Sequence, residues 1–164
     1  DVTEAKNQQY FASAVGEVNV VEMMKKHNAV IGGEGNGGII YPAIHYGRDA
    51  LVGIALFLTL LAKSKMTCSQ LRATYPNYEI SKNKMELTKD MNVDSILEKM
   101  AEKYKDYEVS TIDGVKINIE KEWVHLRKSN TEPIIRVYSE SKDLDSANKL
   151  AQKIINEIKE IINK

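Results

Sequence analysis

The chain has 164 residues, enough for one ordinary domain or two small ones, each with a buried core. Its 23 Lys and Arg residues balance 23 Asp and Glu residues, so no overall charge attracts nucleic acid or an acidic membrane, and neither is an expected partner. The single cysteine, Cys68, excludes an internal disulfide framework and fits a reducing compartment, so we expect a cytoplasmic protein.

The first part of the chain alternates short β-like runs with helical patterns, which predicts an α/β unit. Strands are predicted over 11–15 and 29–31, with an amphipathic helix between them. Residues 48–62 contain the most apolar stretch, which predicts a buried helix because it is shorter than the roughly 20 residues that span a bilayer. Because the first residue is Asp1 rather than Met, we expect the chain to begin inside a longer one.

A glycine-rich loop follows the second predicted strand. Residues 32–38 hold five of the nine glycines, which neither a helix nor a strand interior tolerates well. The loop carries one carboxylate, Glu34, and one amide, Asn36, the groups that recognise the hydroxyls of a sugar. Judged alone, the cluster is more typical of a flexible turn. A dinucleotide-binding loop is disfavoured because strand-like residues 39–41, and not a helix, come next.

A change of composition indicates two domains. Residues 63–90 are polar and rich in lysine, unlike the apolar segment before them. We therefore predict a first domain over 1–64, a linker over 65–75 and a second domain over 76–164.

The second domain has the pattern of an antiparallel sheet with helices packed on one face. Apolar residues at helical spacing predict helices over 93–104 and 144–162. The Asp-Gly pair at 113–114 predicts a hairpin, and two further strands are predicted over 123–127 and 134–139. These elements together predict a small α+β domain.

The loop between the last two predicted strands carries a set of anion-binding groups. Arg127 and Arg136 flank it, and guanidinium groups form charge-assisted bonds to phosphate. Three polar residues between them add donors: Ser129, Asn130 and Thr131. The set predicts a site for a dianion. An ordinary turn with surface arginines, one of them paired with Glu132, explains the same residues equally well.

Other reactive side chains give weaker signals. His45 and Arg48 flank a glycine and are candidate ligand contacts. The remaining histidines and Cys68 do not have metal-ligand spacing, so we expect no metal site in these residues.

Taken together, the two loops resemble those of the α-D-phosphohexomutase superfamily. The sugar-binding motif Gly-Glu-x-Ser/Asn-Gly of its third domain matches residues 33–37. The phosphate loop Arg-x-Ser-x-Thr-x-Pro of its fourth domain matches residues 127–133, and Arg136 corresponds to its second arginine. The resemblance implies the end of an α/β third domain followed by a fourth domain similar to the TATA-binding protein.

The resemblance also implies an activity. Members interconvert hexose or hexosamine 6-phosphate and 1-phosphate through a phosphoserine and a bisphosphate intermediate. It implies sugar contacts from Glu34 and Asn36 and phosphate contacts from Arg127, Arg136 and the polar residues between them. The catalytic serine and the Mg²⁺ loop belong to the first two domains of the family, so we expect this chain alone to be inactive. The expected partners are the sugar phosphate and those N-terminal domains.

Within the superfamily, Val15-Gly16-Glu17 and Thr131-Glu132-Pro133 are most similar to phosphoglucosamine mutases. A phosphomannomutase or phosphoglucomutase is the alternative, although some of these carry His where this chain has Gly38 and Lys where it has Ala14. A free-standing sugar-phosphate-binding module without catalysis is the alternative from another class.

Overall fold

A computed structural model describes residues 1–88, 91–129 and 131–163. The chain forms two compact units, Asp1–Pro76 and Asn77–Lys164, called here the first and second units. They follow the expected order, an α/β unit and then a small α+β domain. None of the helices in the described ranges combines the length and the apolar character needed to cross a membrane.

The first unit is mostly helical, with one short hairpin. Its elements are α1 (Val2–Ala5), α2 (Glu17–His27), β1 (Gly32–Gly33), β2 (Ile39–Ile40), α3 (Ala50–Ser64) and α4 (Cys68–Ala73). The predicted amphipathic helix is confirmed as α2, which ends at Asn28 in the left-handed conformation. α4 lies within the residues predicted as a linker, and the division between the units falls after Pro76.

The strands predicted over 11–15 and 29–31 are wrong, whereas the strand-like residues 39–41 contain the observed strand β2. Residues 11–15 form irregular chain, and residues 29–31 connect α2 to β1. The strands that do form are shorter and lie further along, pairing Gly32 with Ile40 and Gly33 with Ile39. Short apolar runs predict burial better than they predict strand, because a strand also needs a partner for its backbone groups.

The helix α3 forms as predicted but is not buried. Its N-cap is Asp49, whose side chain accepts a hydrogen bond of 2.9 Å from the Val52 N–H group. Every residue of α3 is at least partly exposed, and Leu51 is 78% exposed. The core of the first unit is small and is built from Val20, Met24 and Ile40. An apolar helix becomes buried only where other elements cover it, and the described elements of this unit leave most of α3 uncovered.

The second unit is an antiparallel sheet with two helices on one face. Its elements are β3 (Glu79–Glu86), α5 (Val93–Lys103), β4 (Glu108–Ser110), β5 (Val115–Ile119), β6 (Glu122–Lys128), β7 (Ile134–Ser141) and α6 (Leu144–Ile162). The described strands run in the order β3-β7-β6-β5-β4. The predicted hairpin is confirmed as β4–β5, and the predicted last strand pair is confirmed as β6–β7.

One face of this sheet builds the core with α5 and α6. The largest fully buried apolar side chains of the unit are Met100, Ile117, Val124, Leu126, Ile135, Val137, Ile154 and Ile158. Burying each one stabilises the fold by roughly 1.5–3 kcal/mol. The core fixes which face of β6 and β7 points away from the helices.

The edge strand β3 was not predicted, because its sequence is polar. Ser81 is buried against α6 and donates a hydrogen bond of 2.5 Å to the Asn148 side chain. Met85, further along the same face, joins the core. A polar residue with a satisfied hydrogen bond can therefore occupy a core-facing position of a strand.

The N-cap of α6 gives the second unit a pH-dependent stability. Asp143 accepts a hydrogen bond of 2.7 Å from the Ser146 N–H group, and this bond holds the pKa of Asp143 below its usual 3.8. Since the folded pKa is lowered, the stabilisation is present above the unfolded pKa and is lost as the pH falls through the folded value. We expect Asp143→Ala to lower the melting temperature at neutral pH, and to change it less in acid, once the pH has fallen through the lowered pKa of Asp143.

Thermal unfolding followed by circular dichroism at neutral and at acid pH measures this effect. The matched control is Asp145→Ala, which removes an exposed carboxylate from the first turn of the same helix. Equal losses in the two variants at neutral pH, or a loss that does not depend on pH, would contradict the capping role.

Candidate functional site

Arg127 and Arg136 stand directly opposite each other on β6 and β7. Their neighbours Leu126 and Val137 are fully buried in the core beneath the helices. Because side chains alternate between the faces of a strand, both guanidinium groups lie on the face away from the helices. Opposed residues have Cβ atoms about 4.5–5.5 Å apart, so the fold brings the two arginines side by side.

Arg127 is held by the turn between β4 and β5. Its Nε atom lies 3.2 Å from Oδ1 of Asp113, and its side chain is 38% exposed. The carboxylate beside Arg127 is therefore that of Asp113, not that of Glu132 as the ordinary-turn interpretation supposed. The Asp-Gly pair predicted the hairpin, but nothing in the sequence indicated that this aspartate contacts Arg127.

Gly114 allows that turn to approach β6 closely. Its φ angle is +67°, and a Cβ atom added there would lie 2.2 Å from the Leu126 carbonyl oxygen and 3.2 Å from Cα of Arg127. Both the positive φ and the lack of space require glycine. The position of Asp113 beside Arg127 therefore depends on Gly114.

Arg136 is exposed and only weakly engaged. Its Nη1 atom donates a long hydrogen bond of 3.5 Å to the Tyr138 hydroxyl. Like charges directly opposite each other on a sheet are destabilising, and an anion bound between them would relieve the repulsion. Two opposed guanidinium groups of this kind can bind an anion between them.

The polar residues of the loop lie just beyond the arginine pair. Ser129 is buried, and its N–H group donates a hydrogen bond of 3.1 Å to the Ile134 carbonyl. Its hydroxyl lies 3.4 Å from that of Thr131, which is exposed. Asn130 lies outside the described residues. The structure thus brings the hydroxyls of Ser129 and Thr131 together at the same end of the sheet as Arg127 and Arg136.

This set of groups is equipped to bind rather than to transfer protons. Guanidinium groups stay protonated at any physiological pH and offer only donors, and hydroxyl groups add directional hydrogen bonds. Groups of these kinds can hold an oxyanion by hydrogen bonds.

The glycine-rich loop of the first unit is a tight hairpin turn. The Glu34 N–H group donates 3.0 Å to the Gly38 carbonyl, and the Gly37 N–H group donates 3.0 Å to the Glu34 carbonyl. A Cβ atom at Gly33 would lie 2.2 Å from the Gly38 oxygen. The loop is therefore a hydrogen-bonded turn in which the lack of space at position 33 requires glycine.

Glu34 and Asn36 border a cavity of about 600 Å³. Glu34 is half-buried, while Asn36 is exposed and its Oδ1 atom accepts a hydrogen bond of 3.1 Å from the Gly38 N–H group. The rest of the lining is largely apolar and includes Phe11 and Val15. Its size is within the range of small-molecule pockets, with a carboxylate and an amide at one side.

Asn36 also lines a second, more polar cavity of about 640 Å³. Arg48 lines it, and its Nε atom forms an ion pair of 2.8 Å with Oε2 of Glu17. The side chain of Arg48 also packs against Gly38, where an added Cβ atom would lie 3.0 Å from its Cδ. Arg48 was a predicted candidate, but Glu17 was not, because its contact crosses 31 residues.

His45 is the other candidate near this cavity. Its Nε2 atom lies 3.1 Å from Oδ2 of Asp49, and both side chains are partly exposed. The Val52 N–H group, and after it His45, lower the pKa of Asp49. His45 is thus bound to the cap of α3 rather than directed at the loop that carries Glu34.

Two sequence models of one protein family match consecutive parts of the chain. "Phosphoglucomutase/phosphomannomutase, alpha/beta/alpha domain III" matches residues 1–78, and "Phosphoglucomutase/phosphomannomutase, C-terminal domain" matches residues 82–157. The chain belongs to the α-D-phosphohexomutase superfamily. The two matches place the glycine-rich loop in the third domain of the superfamily and the arginine pair in its C-terminal domain.

Curated members of the superfamily align with most of the chain. The phosphoglucosamine/phosphogalactosamine mutase of Sulfurisphaera tokodaii is 40% identical over 150 residues, covering 90% of this chain and 32% of that protein. The phosphoglucomutase/phosphomannomutase of Thermococcus kodakarensis is 36% identical over 149 residues, covering 90% of this chain and 32% of its own length. The chain therefore spans about a third of the length of these relatives.

A solved superfamily structure has the same fold. The phosphoglucomutase/phosphomannomutase family protein of Burkholderia thailandensis superposes with a TM-score of 0.73 at 23% identity, covering 94% of this chain and 33% of that one. This likeness concerns the fold alone.

Proposed function

We propose that this chain is the C-terminal, substrate-binding part of a phosphohexomutase that interconverts glucosamine 6-phosphate and glucosamine 1-phosphate. The observation that carries the proposal is the cross-strand pair of Arg127 and Arg136 beside the hydroxyls of Ser129 and Thr131. That arrangement fits one phosphate group, and the superfamily to which the chain belongs acts on sugar phosphates.

In this proposal the arginine pair holds the phosphate that is not reacting. In a reaction through a bisphosphate intermediate, either end of the sugar must present its phosphate to the same holding site. Charged hydrogen bonds suit this task because each contributes about 1.5–3 kcal/mol and none depends on the identity of the sugar carbon. Asn130 is the remaining predicted contact of this loop, and we include it in the proposed site because it lies between Ser129 and Thr131 in the sequence.

Glu34 and Asn36 are proposed to orient the sugar. A carboxylate accepts hydrogen bonds from neighbouring hydroxyls, and the amide both donates and accepts. Oδ1 of Asn36 already accepts a hydrogen bond from the Gly38 N–H group, so we propose that the amide nitrogen of Asn36 donates to the ligand. Fixing the orientation of the sugar brings one end of it at a time to the reacting centre.

The reacting groups are proposed to lie in other domains of the parent protein. The superfamily uses a phosphoserine and Mg²⁺, which neutralises phosphate charge when bound. In the described part of this chain, no three His, Cys, Asp or Glu side chains come together as metal ligands. The whole sequence also lacks an Asp-x-Asp-x-Asp motif. These residues do not fit Mg²⁺, so we place the metal outside them and expect the chain alone to be inactive.

We assign glucosamine, rather than glucose or mannose, as the sugar of the substrate. The Sulfurisphaera tokodaii relative, a phosphoglucosamine/phosphogalactosamine mutase, is more similar to this chain than the Thermococcus kodakarensis phosphoglucomutase/phosphomannomutase. The motifs at 15–17 and 131–133 favour the same assignment. A phosphomannomutase/phosphoglucomutase activity is the second candidate, and the cytoplasm is the proposed compartment for both.

A chimera tests this proposal directly. The chain is fused to the N-terminal two thirds of the Sulfurisphaera tokodaii relative, in place of the segment to which it aligns. The 164-residue chain alone is assayed in parallel with glucosamine, glucose and mannose 6-phosphates. We expect the chimera to interconvert glucosamine 6-phosphate and glucosamine 1-phosphate, and the chain alone to bind the ester without converting it.

Two results would contradict the proposal. A folded chimera that converts none of the three esters would favour a sugar-phosphate-binding module without catalysis. Turnover by the chain alone would show that its own residues carry the chemistry.

A further inference from the structure

Arg127 and Arg136 belong to a longer row of cations across the sheet, called here the cationic row. On the next strand, Lys84 of β3 stands directly opposite Arg136, which is itself opposite Arg127. Met85, the next residue along β3, is buried in the core, so Lys84 lies on the same open face as the two arginines. Neighbouring strands are about 4.8 Å apart, so three cations lie side by side across roughly 10 Å.

Lys84 is only weakly engaged elsewhere. Its Nζ atom lies 3.6 Å from Oε1 of Glu86, and the two side chains are 64% and 80% exposed. An exposed pair at that distance contributes little and separates easily. The amine can therefore turn from Glu86 towards a ligand bound at Arg136.

The position of β3 also connects Lys84 to the loop itself. The Leu87 N–H group, just past the end of β3, donates a hydrogen bond of 2.9 Å to the Pro133 carbonyl. This bond holds the end of β3 against the segment that carries Ser129 and Thr131. Lys84 thus lies at the loop end of the sheet, where the phosphate is proposed to bind.

We propose that Lys84 is a third cationic contact of the phosphate site and makes the site selective for a doubly charged phosphate monoester. This inference rests on the proposed function. Two cations can balance one dianion only in part when Arg127 is already paired with Asp113. A third cation supplies the missing charge, and it matters less for an ester with a single negative charge.

The chain provides a matched control on the same strand and face. Lys82 is two residues from Lys84, stands opposite Tyr138, and its Nζ atom lies 5.9 Å from the centre of the Tyr138 ring. It belongs to the next row of the sheet, further from the loop. Lys82→Ala removes one positive charge, as Lys84→Ala does, but leaves Lys84 and the rest of the cationic row in place.

The experiment measures the affinity of the 164-residue chain for glucosamine 6-phosphate and for glucosamine 6-sulfate by calorimetry at low salt. The sulfate ester has the same shape, but its sulfate group carries a single negative charge. We expect Lys84→Ala to weaken glucosamine 6-phosphate binding about fivefold and to weaken sulfate ester binding less than twofold. Lys82→Ala should change either affinity less than twofold.

Arg136→Ala, measured alongside, separates this inference from the proposed function. If Arg136→Ala weakens phosphate binding while Lys84→Ala behaves like Lys82→Ala, the role of Lys84 is wrong and the phosphate site stands. An equal effect of Lys84→Ala on the two esters would overturn the charge selectivity. No binding by the wild-type chain, or no effect of Arg136→Ala, would overturn the phosphate site and this inference with it.

Discussion

Replacing Arg136 with alanine is expected to weaken the binding of glucosamine 6-phosphate at least tenfold. Arg136 is the central member of the cationic row, with Arg127 opposite on one side and Lys84 on the other. A charged hydrogen bond to the phosphate contributes about 1.5–3 kcal/mol, and each 1.4 kcal/mol changes the dissociation constant tenfold. Isothermal titration calorimetry of the purified chain at low salt measures the change.

Stability provides a control for this variant. Because Arg136 is exposed and faces a like charge on β6, its removal should leave the melting temperature unchanged or slightly higher. Lys149→Ala, which removes an exposed cation from α6 on the other side of the unit, should leave the affinity unchanged. An Arg136→Ala protein that binds the ester as tightly as the wild type would contradict the proposed site.

Replacing Gly114 with alanine is expected to destabilise the second unit by roughly 2 kcal/mol or more. The residue has a φ angle of +67°, and the new Cβ atom would meet the Leu126 carbonyl oxygen at 2.2 Å. The clash involves backbone on both sides, so no side-chain rotation relieves it. Chemical denaturation of wild type and variant measures the difference in the free energy of unfolding.

The same substitution should also disturb the ion pair between Arg127 and Asp113, because Asp113 lies in the turn that contains Gly114. The control is Gly35→Ala, since Gly35 has open space around its Cα and no positive φ. That variant should unfold like the wild type. A Gly114→Ala protein of unchanged stability would show that the turn does not lie against β6 as described here.

The sequence predicts the second unit better than the first. Helices α5 and α6 and strands β5, β6 and β7 follow from local periodicity, which their burial on one face preserves. Strand β3 could not be predicted, because Ser81 occupies a core-facing position through its bond to Asn148, 67 residues away. The burial of α3 was predicted wrongly, because local hydrophobicity does not indicate which elements cover a helix.

The sequence likewise predicted some residues of the candidate site but not others. Arg127, Arg136 and the polar residues between them were identified from their spacing. Asp113 and Lys84 were not, because their proximity to the arginines depends on the register of β5 and β3 in the sheet. Glu17 was likewise found only through its ion pair with Arg48 across the first unit. Long-range pairing is the information that local patterns omit.

The central claim is that the guanidinium groups of Arg127 and Arg136 bind one phosphate together. Its most direct test is a ¹H–¹⁵N NMR titration of the labelled chain with glucosamine 6-phosphate, following the Nε–Hε signals of both arginines. We predict that the two signals shift together along one binding curve. In Arg136→Ala, the signal of Arg127 should shift only at ester concentrations at least tenfold higher. Signals that stay in place while the ester binds elsewhere, or that follow two separate curves, would contradict it.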